Sequence, residues 1–172
     1  MKIKLFFLFL NLLFVVSCGR EKPILEIGTF VEFSIPAGLS TIESHFFVQD
    51  NTPILYQSQL ATTGIDPDNV DMFVSGTASL IPGAGRNFDL GFIRSVNVFL
   101  VEENGRRNEL FFLDFVPIGE KDEIELLGSI VDLKDKITDD RASIETRLEF
   151  NTPPPTTFDM RLNMTFVVFG AE

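Results

Sequence analysis

His45 is the sole histidine of this chain and Cys18 its sole cysteine. A Ser-His-Asp relay would have to run through His45. That residue sits beside Glu43 in the alternating stretch "TIESHFFV", where it reads as a surface strand residue. No GxSxG elbow occurs, so nucleophilic catalysis is not expected. Zinc sites draw on several histidines or cysteines, and one of each cannot build one. Glycoside hydrolysis needs two carboxylates set across a cleft. The 25 acidic residues supply many pairs and single out none. The reading is of a non-enzyme without a cofactor.

Hard oxygen ligands are densest in "DPDNVD". There Asp66, Asp68, Asn69 and Asp71 offer the donor chemistry that calcium uses. Pro67 and the spacing depart from an EF-hand loop. The same residues also make an Asx-proline turn ahead of a strand. "EKDE" at 120–123 and "TDD" at 138–140 read as solvated turns. "PGAGR" at 82–86 has the glycines of a phosphate loop but lacks its GK[ST] ending, and reads as a hairpin loop. "NTPPPTT" at 151–157 is a stiff connector or a polyproline II segment offered to a partner. Asn163-Met164-Thr165 matches a glycosylation sequon but falls inside a predicted strand.

Cys18 is explained by what precedes it. Lys2 and Lys4 begin a positive segment, and Leu5 to Val16 is apolar except for Asn11. Roughly 20 apolar residues are needed to span a bilayer, so this run is short for an anchor. It has the length and flanks of a signal-peptide core. Val15-Val16-Ser17-Cys18 resembles a bacterial lipobox. The resemblance implies cleavage between Ser17 and Cys18, a diacylglycerol thioether on Cys18, and acylation of the new amino terminus. Two or more acyl chains anchor stably where one does not. An ordinary secretory signal, or an uncleaved short anchor, would leave the cysteine incidental. With no second cysteine, no intrachain disulfide can form.

By the same resemblance, Gly19 in place of aspartate points to the outer membrane. Periplasmic or surface display is left open. The short Phe-rich leader followed by an acidic β-rich chain looks like small lipoproteins of the Bacteroidota.

Composition narrows the partners. The chain has 172 residues and a net charge of −11. Without Lys2 and Lys4 the remainder stands near −13. That charge disfavours nucleic acid and anionic lipid head groups. Fifteen of the nineteen phenylalanines lie beyond residue 17, with one tyrosine and no tryptophan. Phenylalanine has no polar handle and goes inside. Interfaces favour Trp and Tyr, so an aromatic sugar platform is disfavoured.

The elements follow from periodicity. Residues 1–17 are the leader, 18–25 a tether, and 26–172 one domain. "FVEFSI" puts Val31, Phe33 and Ile35 on one face. "TIESHFFV" puts Ile42, Ser44, Phe46 and Val48 against Glu43, His45 and Phe47. A helix over "NTPILYQSQLATTG" would be capped by Thr52, begun by Pro53 and ended by Gly64. In "VDMFVSGTASL" Val70, Met72 and Val74 share a face, and Gly76 marks a bulge or close approach. Around Asn104-Gly105 a type I′ hairpin is expected. Its faces are Val96, Val98 and Leu100, then Phe111, Leu113 and Phe115. "EIELLGS" is a short strand. Ile130, Leu133 and Ile137 have helical spacing, with Ser129 as cap. In "ASIETRLEF" Ile144, Thr146, Leu148 and Phe150 alternate with Ser143, Glu145, Arg147 and Glu149. Phe158, Met160, Leu162, Met164, Phe166 and Val168 share the buried face of the last strand.

Seven to eight strands with one or two crossover helices imply an antiparallel sandwich, immunoglobulin-like or Greek-key. An outer-membrane barrel is not expected. The functional expectation is a lipid-anchored lipoprotein whose domain binds another envelope protein. The alternative is a ligand module for a glycan, small molecule or calcium.

Overall fold

The computed structural model describes residues 22–83, 89–117, 119, 122–137 and 139–171. Eight strands are present: β1 (Pro23–Ile35), β2 (His45–Pro53), β3 (Val70–Pro82), β4 (Ile93–Val101), β5 (Arg107–Leu113), β6 (Ile124–Gly128), β7 (Arg141–Phe150) and β8 (Phe158–Gly170). Among the described residues one α-helix, α1 (Tyr56–Thr63), lies between β2 and β3. All ladders are antiparallel, and the sheet order is β1-β8-β3-β6-β5-β4-β7-β2. Among the described residues no helix is long and apolar enough to cross a membrane.

The fold is all-β, as expected, but it is not an immunoglobulin-like pair of separate sheets. β6 is the reason. Its first residues pair with β3, from Ile124 opposite Leu80 to Leu126 opposite Ala78. Its last residues pair with β5, Leu127 opposite Phe112 and Gly128 opposite Phe111. This short strand therefore turns a corner and joins two four-stranded halves into one sheet. The corner is tight: a Cβ on Gly128 would stand 2.5 Å from the carbonyl oxygen of Gly76. Gly76 thus makes the close approach its sequence position suggested, beside a register shift between Ser75 and Ala78.

The sheet curls until its two edges meet. β1 and β2 share no ladder. The Thr29 hydroxyl donates to the Pro53 carbonyl at 2.6 Å, and the Phe33 and Phe47 rings stack across the gap. The result is a near-closed, flattened barrel. Its halves, β1-β8-β3-β6 and β5-β4-β7-β2, interleave in chain order as two Greek keys do in a jelly roll.

The core lies between the halves. Phe73, Leu80, Val96, Val98, Phe111, Ile144, Leu148, Phe150, Met160, Leu162, Phe166 and Val168 are fully buried. Period-2 alternation puts most of them there. On β3 the expected face of Val70, Met72 and Val74 does not hold, since Phe73 is buried and Met72 exposed beside register shifts at Val70/Met72 and Ser75/Ala78. All six expected inward residues of β8 are buried. β8 is also central, between β1 and β3, and runs antiparallel to β1 from Pro23 opposite Phe169 to Ile35 opposite Phe158. β1 begins at Pro23, inside the stretch read as tether. Proline is tolerated at a strand's first position, where its missing N–H costs little.

Several local expectations are corrected. Thr52 and Pro53 belong to β2, and α1 begins only at Tyr56. Leu55 precedes it with φ 59° and offers no side-chain cap. Asp140 supplies one from across the fold, accepting from the Ser58 N–H at 3.0 Å and from the Ser58 hydroxyl. Gly64 ends the helix as expected. The segment 130–138 is not a helix in its described part. Ile130 is 92% exposed, while Leu133 and Ile137 are buried about a single turn. The Leu133 N–H donates to the Phe73 carbonyl at 2.7 Å, and the Asp132 carboxylate accepts from the Phe73 N–H at 3.1 Å. Bonding to β3 satisfies that backbone better than an isolated short helix would.

In the β4–β5 hairpin, Gly105 alone takes a left-handed φ of 81°, and Asn104 does not. The Gly105 N–H donates to the Glu102 carbonyl, so the loop is a turn closed by a glycine bulge and not a type I′ pair. Phe115 lies beyond β5 and is exposed, while Val96 faces Leu113 and Val98 faces Phe111 as expected. The face of β2 is inverted: Phe47 packs on the core, and Phe46 and Val48 point out.

Candidate functional site

That inversion puts two apolar side chains on the outer face of β5-β4-β7-β2. Phe46 is 54% exposed and Val48 52%. The ladders place Phe46 opposite Arg147, Arg147 opposite Asn97, Asn97 opposite Phe112, and Phe112 opposite Leu127. One row thus crosses five strands, apolar at both ends and polar in the middle. At the usual strand spacing it is roughly 19 Å long. The next row runs Val48, Glu145, Phe99, Glu109.

The polar centre is fixed by its own bonds. Arg147 Nη2 donates to Asn97 Oδ1 at 3.0 Å, and Asn97 Nδ2 donates to Glu109 Oε1 at 3.1 Å. Arg107 Nε lies 2.7 Å from Glu145 Oε1, and its Nη2 donates to Oε2 at 3.0 Å. Glu145, on this outer face, is only 4% exposed. The arginine is its lid. The Arg107 guanidinium also reaches 5.9 Å from the centroid of the Phe46 ring.

At one margin Glu149 accepts from the Ser44 hydroxyl at 2.8 Å and from Arg94 Nη2 at 2.8 Å. Those hydrogen bonds, Ser44 first and Arg94 second, hold its carboxyl below the ordinary range against a smaller opposing effect of burial. Three arginines and three glutamates balance one another here, on a chain that is otherwise strongly acidic.

Such a face suits recognition. Its carboxylates are engaged by arginine, asparagine or serine side chains before anything binds, while Arg147 Nε is buried without a partner. Aromatic and arginine side chains around a fixed centre are the composition that protein interfaces enrich.

The residues singled out in the sequence lie elsewhere. The Asp66 carboxylate accepts from the Asp68 N–H at 3.0 Å and caps a single 3₁₀ turn, Pro67–Asn69. Among the described residues no three His, Cys, Asp or Glu side chains group as metal ligands. His45 turns inward, its ring 5.4 Å from that of Phe150 and its Nε2 2.8 Å from the Ser40 carbonyl oxygen. Pro154 is buried, and its carbonyl accepts from the Gly38 N–H at 2.9 Å, which ties the proline-rich connector to the β1–β2 turn. Ser17 and Cys18 lie outside the described residues, as do 84–86 of "PGAGR", 120 and 121 of "EKDE", and Thr138.

The network residues Asn97, Arg107, Glu109, Glu145 and Arg147 were not singled out beforehand. A signal for two of them existed, since the alternation of "ASIETRLEF" had put Glu145 and Arg147 on one face. No known family model matches this chain, and comparison with curated proteins finds no relative.

Proposed function

We propose that the chain is a lipoprotein of the bacterial outer membrane, anchored through acylated Cys18, whose non-catalytic domain docks another envelope protein. The docking surface is the outer face of β5-β4-β7-β2. The observation that carries this reading is the row Phe46–Arg147–Asn97–Phe112–Leu127, with exposed apolar ends about a fixed polar centre. Burying Phe46, Val48 and Leu127 against a partner removes apolar area from water at about 25 cal/mol per Å². The arginines and glutamates, already paired, lose little freedom on docking. The lipobox-like Val15–Cys18 supports the anchor, and the acidic charge keeps the domain off anionic lipid.

Site-specific crosslinking in the native envelope tests the docking face. A photoreactive residue replacing Val48 should give one discrete adduct, and the same residue replacing Glu26, on the other half, should not. Equal labelling from both positions, or none from Val48, would sink the reading.

A further inference from the structure

The outer face of the other half carries a groove of about 400 Å³, lined chiefly by Thr77, Ser79, Glu123, Glu125, Asn163 and Thr165. The ladders build it. Phe30 stands opposite Asn163, Asn163 opposite Ser79, and Ser79 opposite Glu125. Gly28 stands opposite Thr165, and a Cβ placed on it would meet nothing within 4 Å. Gly28 adjoins the groove rather than lining it, and beside Thr165 the sheet is bare backbone under open space.

The two outer faces differ in one respect that matters. On β5-β4-β7-β2 Asn97, Arg107, Glu109, Glu145 and Arg147 are bonded to one another in pairs. Among the described residues, the six groove side chains make no hydrogen bond or ion pair within the protein. Hydroxyl, amide and carboxylate groups are thus gathered around a groove with their bonding capacity unspent. Beyond the lining residues, on the Asn163 side, stands Phe30 of β1. Phe30 is half exposed, and the Arg161 guanidinium lies 4.4 Å from its ring centroid. Glu32 Oε1 holds Arg161 in turn, accepting at 2.9 and 2.6 Å. The ring is braced before any ligand arrives, which lowers the cost of binding.

We infer that this groove binds a neutral saccharide. The six lining side chains include two carboxylates and no cation, so a phosphate or carboxylate ligand is repelled. Ligand O–H groups find acceptors in Glu123, Glu125 and the Asn163 carbonyl, and donors in Thr77, Ser79 and Thr165. An apolar sugar face has Phe30 to lie against. The inference does not rest on the docking face, which lies on the other half of the sheet.

The test uses isotope-labelled full-length protein in a sugar-free detergent, titrated with chitohexaose, cellohexaose and maltohexaose. At least one should shift the amide resonances of residues 77–79 and 163–165, saturably and at millimolar concentration or below. Gly28→Val fills the open space that adjoins the groove beside Thr165, without straining the strand. It should weaken that binding at least tenfold while leaving the thermal midpoint in place, and Asn163→Ala should do the same. Three outcomes overturn the proposal: no shift with any of the three sugars, shifts outside the groove, or equal response of the two variants and the wild type. Spermidine binding there in preference to all three sugars also overturns it, and makes the groove a cation site.

Discussion

The rings of Phe33 and Phe47 stack 4.9 Å apart, with their planes at 28°, across the one strand junction that has no ladder. Phe33 is on β1 and Phe47 on β2, the first and last strands of the sheet order. Ladder bonds hold every other neighbour, whereas this seam relies on side chains. Replacing Phe33, a buried residue, by alanine should cost about 3 kcal/mol. In hydrogen exchange the loss should concentrate in β1 and β2. Uniform acceleration over all eight strands would show that the seam is not a separate weak point.

The Glu145 carboxylate is buried, and Arg107 is its ion-pair partner. Arg107→Ala leaves that charge with little compensation, and about 2 kcal/mol of destabilisation is expected. Arg107→Ala combined with Glu145→Leu should recover most of it, because an apolar residue there needs no partner. Urea unfolding of the single and double variants measures both. A double variant as weak as the single one would mean that the arginine acts through packing.

The Glu149 carboxyl lies below its ordinary range in the folded chain, chiefly through the Ser44 hydroxyl. Its unfolded value is about 4.3, so the folded chain binds fewer protons in the window below that. The stabilisation is therefore complete above the unfolded value and is lost as pH falls through the folded one. Ser44→Ala should lower stability by under about 1 kcal/mol near neutral pH, Arg94 and Glu149 both being partly exposed. The difference should vanish in strong acid. A gap that persists there would assign the effect to something other than ionisation.

Cys18→Ala should abolish incorporation of an alkynyl fatty acid and release the protein from the membrane fraction. Retention of the variant in the membrane pellet would count against a lipid anchor.

The sequence made β7 and β8 legible because each alternates without ambiguity. Phe158 to Val168 permits only one inward face. β2 was misread because Phe46 and Phe47 are adjacent, so either parity buries one phenylalanine. Extending the alternation back to Ile42 favoured the wrong one. Ile42 is outside the strand and exposed, and a one-residue slip exchanges the two faces entirely. The error hid the candidate face, since its apolar rim is the set assigned to the core.

The segment 130–138 failed for another reason. Leu133 and Ile137 do share a turn, but the alternative of bonding to Phe73 of β3 is set by a strand some sixty residues earlier, and no local window contains it. The cap of α1 by Asp140 is invisible for the same reason. The joining of the two halves rests on Gly128, whose meaning appears only once Gly76 is beside it.

The register of β1 with β8 has a mechanical consequence. Pro23 lies opposite Phe169, so the chain enters and leaves the described fold at the same pole, while Ile35 opposite Phe158 marks the other. Tension arriving through Pro23 would load the β1–β8 ladder from its end, opening bonds one after another instead of shearing them together. A domain hung from its amino terminus would thus yield first at β1, at low force. Its proline-rich connector would point away from the point of suspension, and a carboxy-terminal tag would sit next to it.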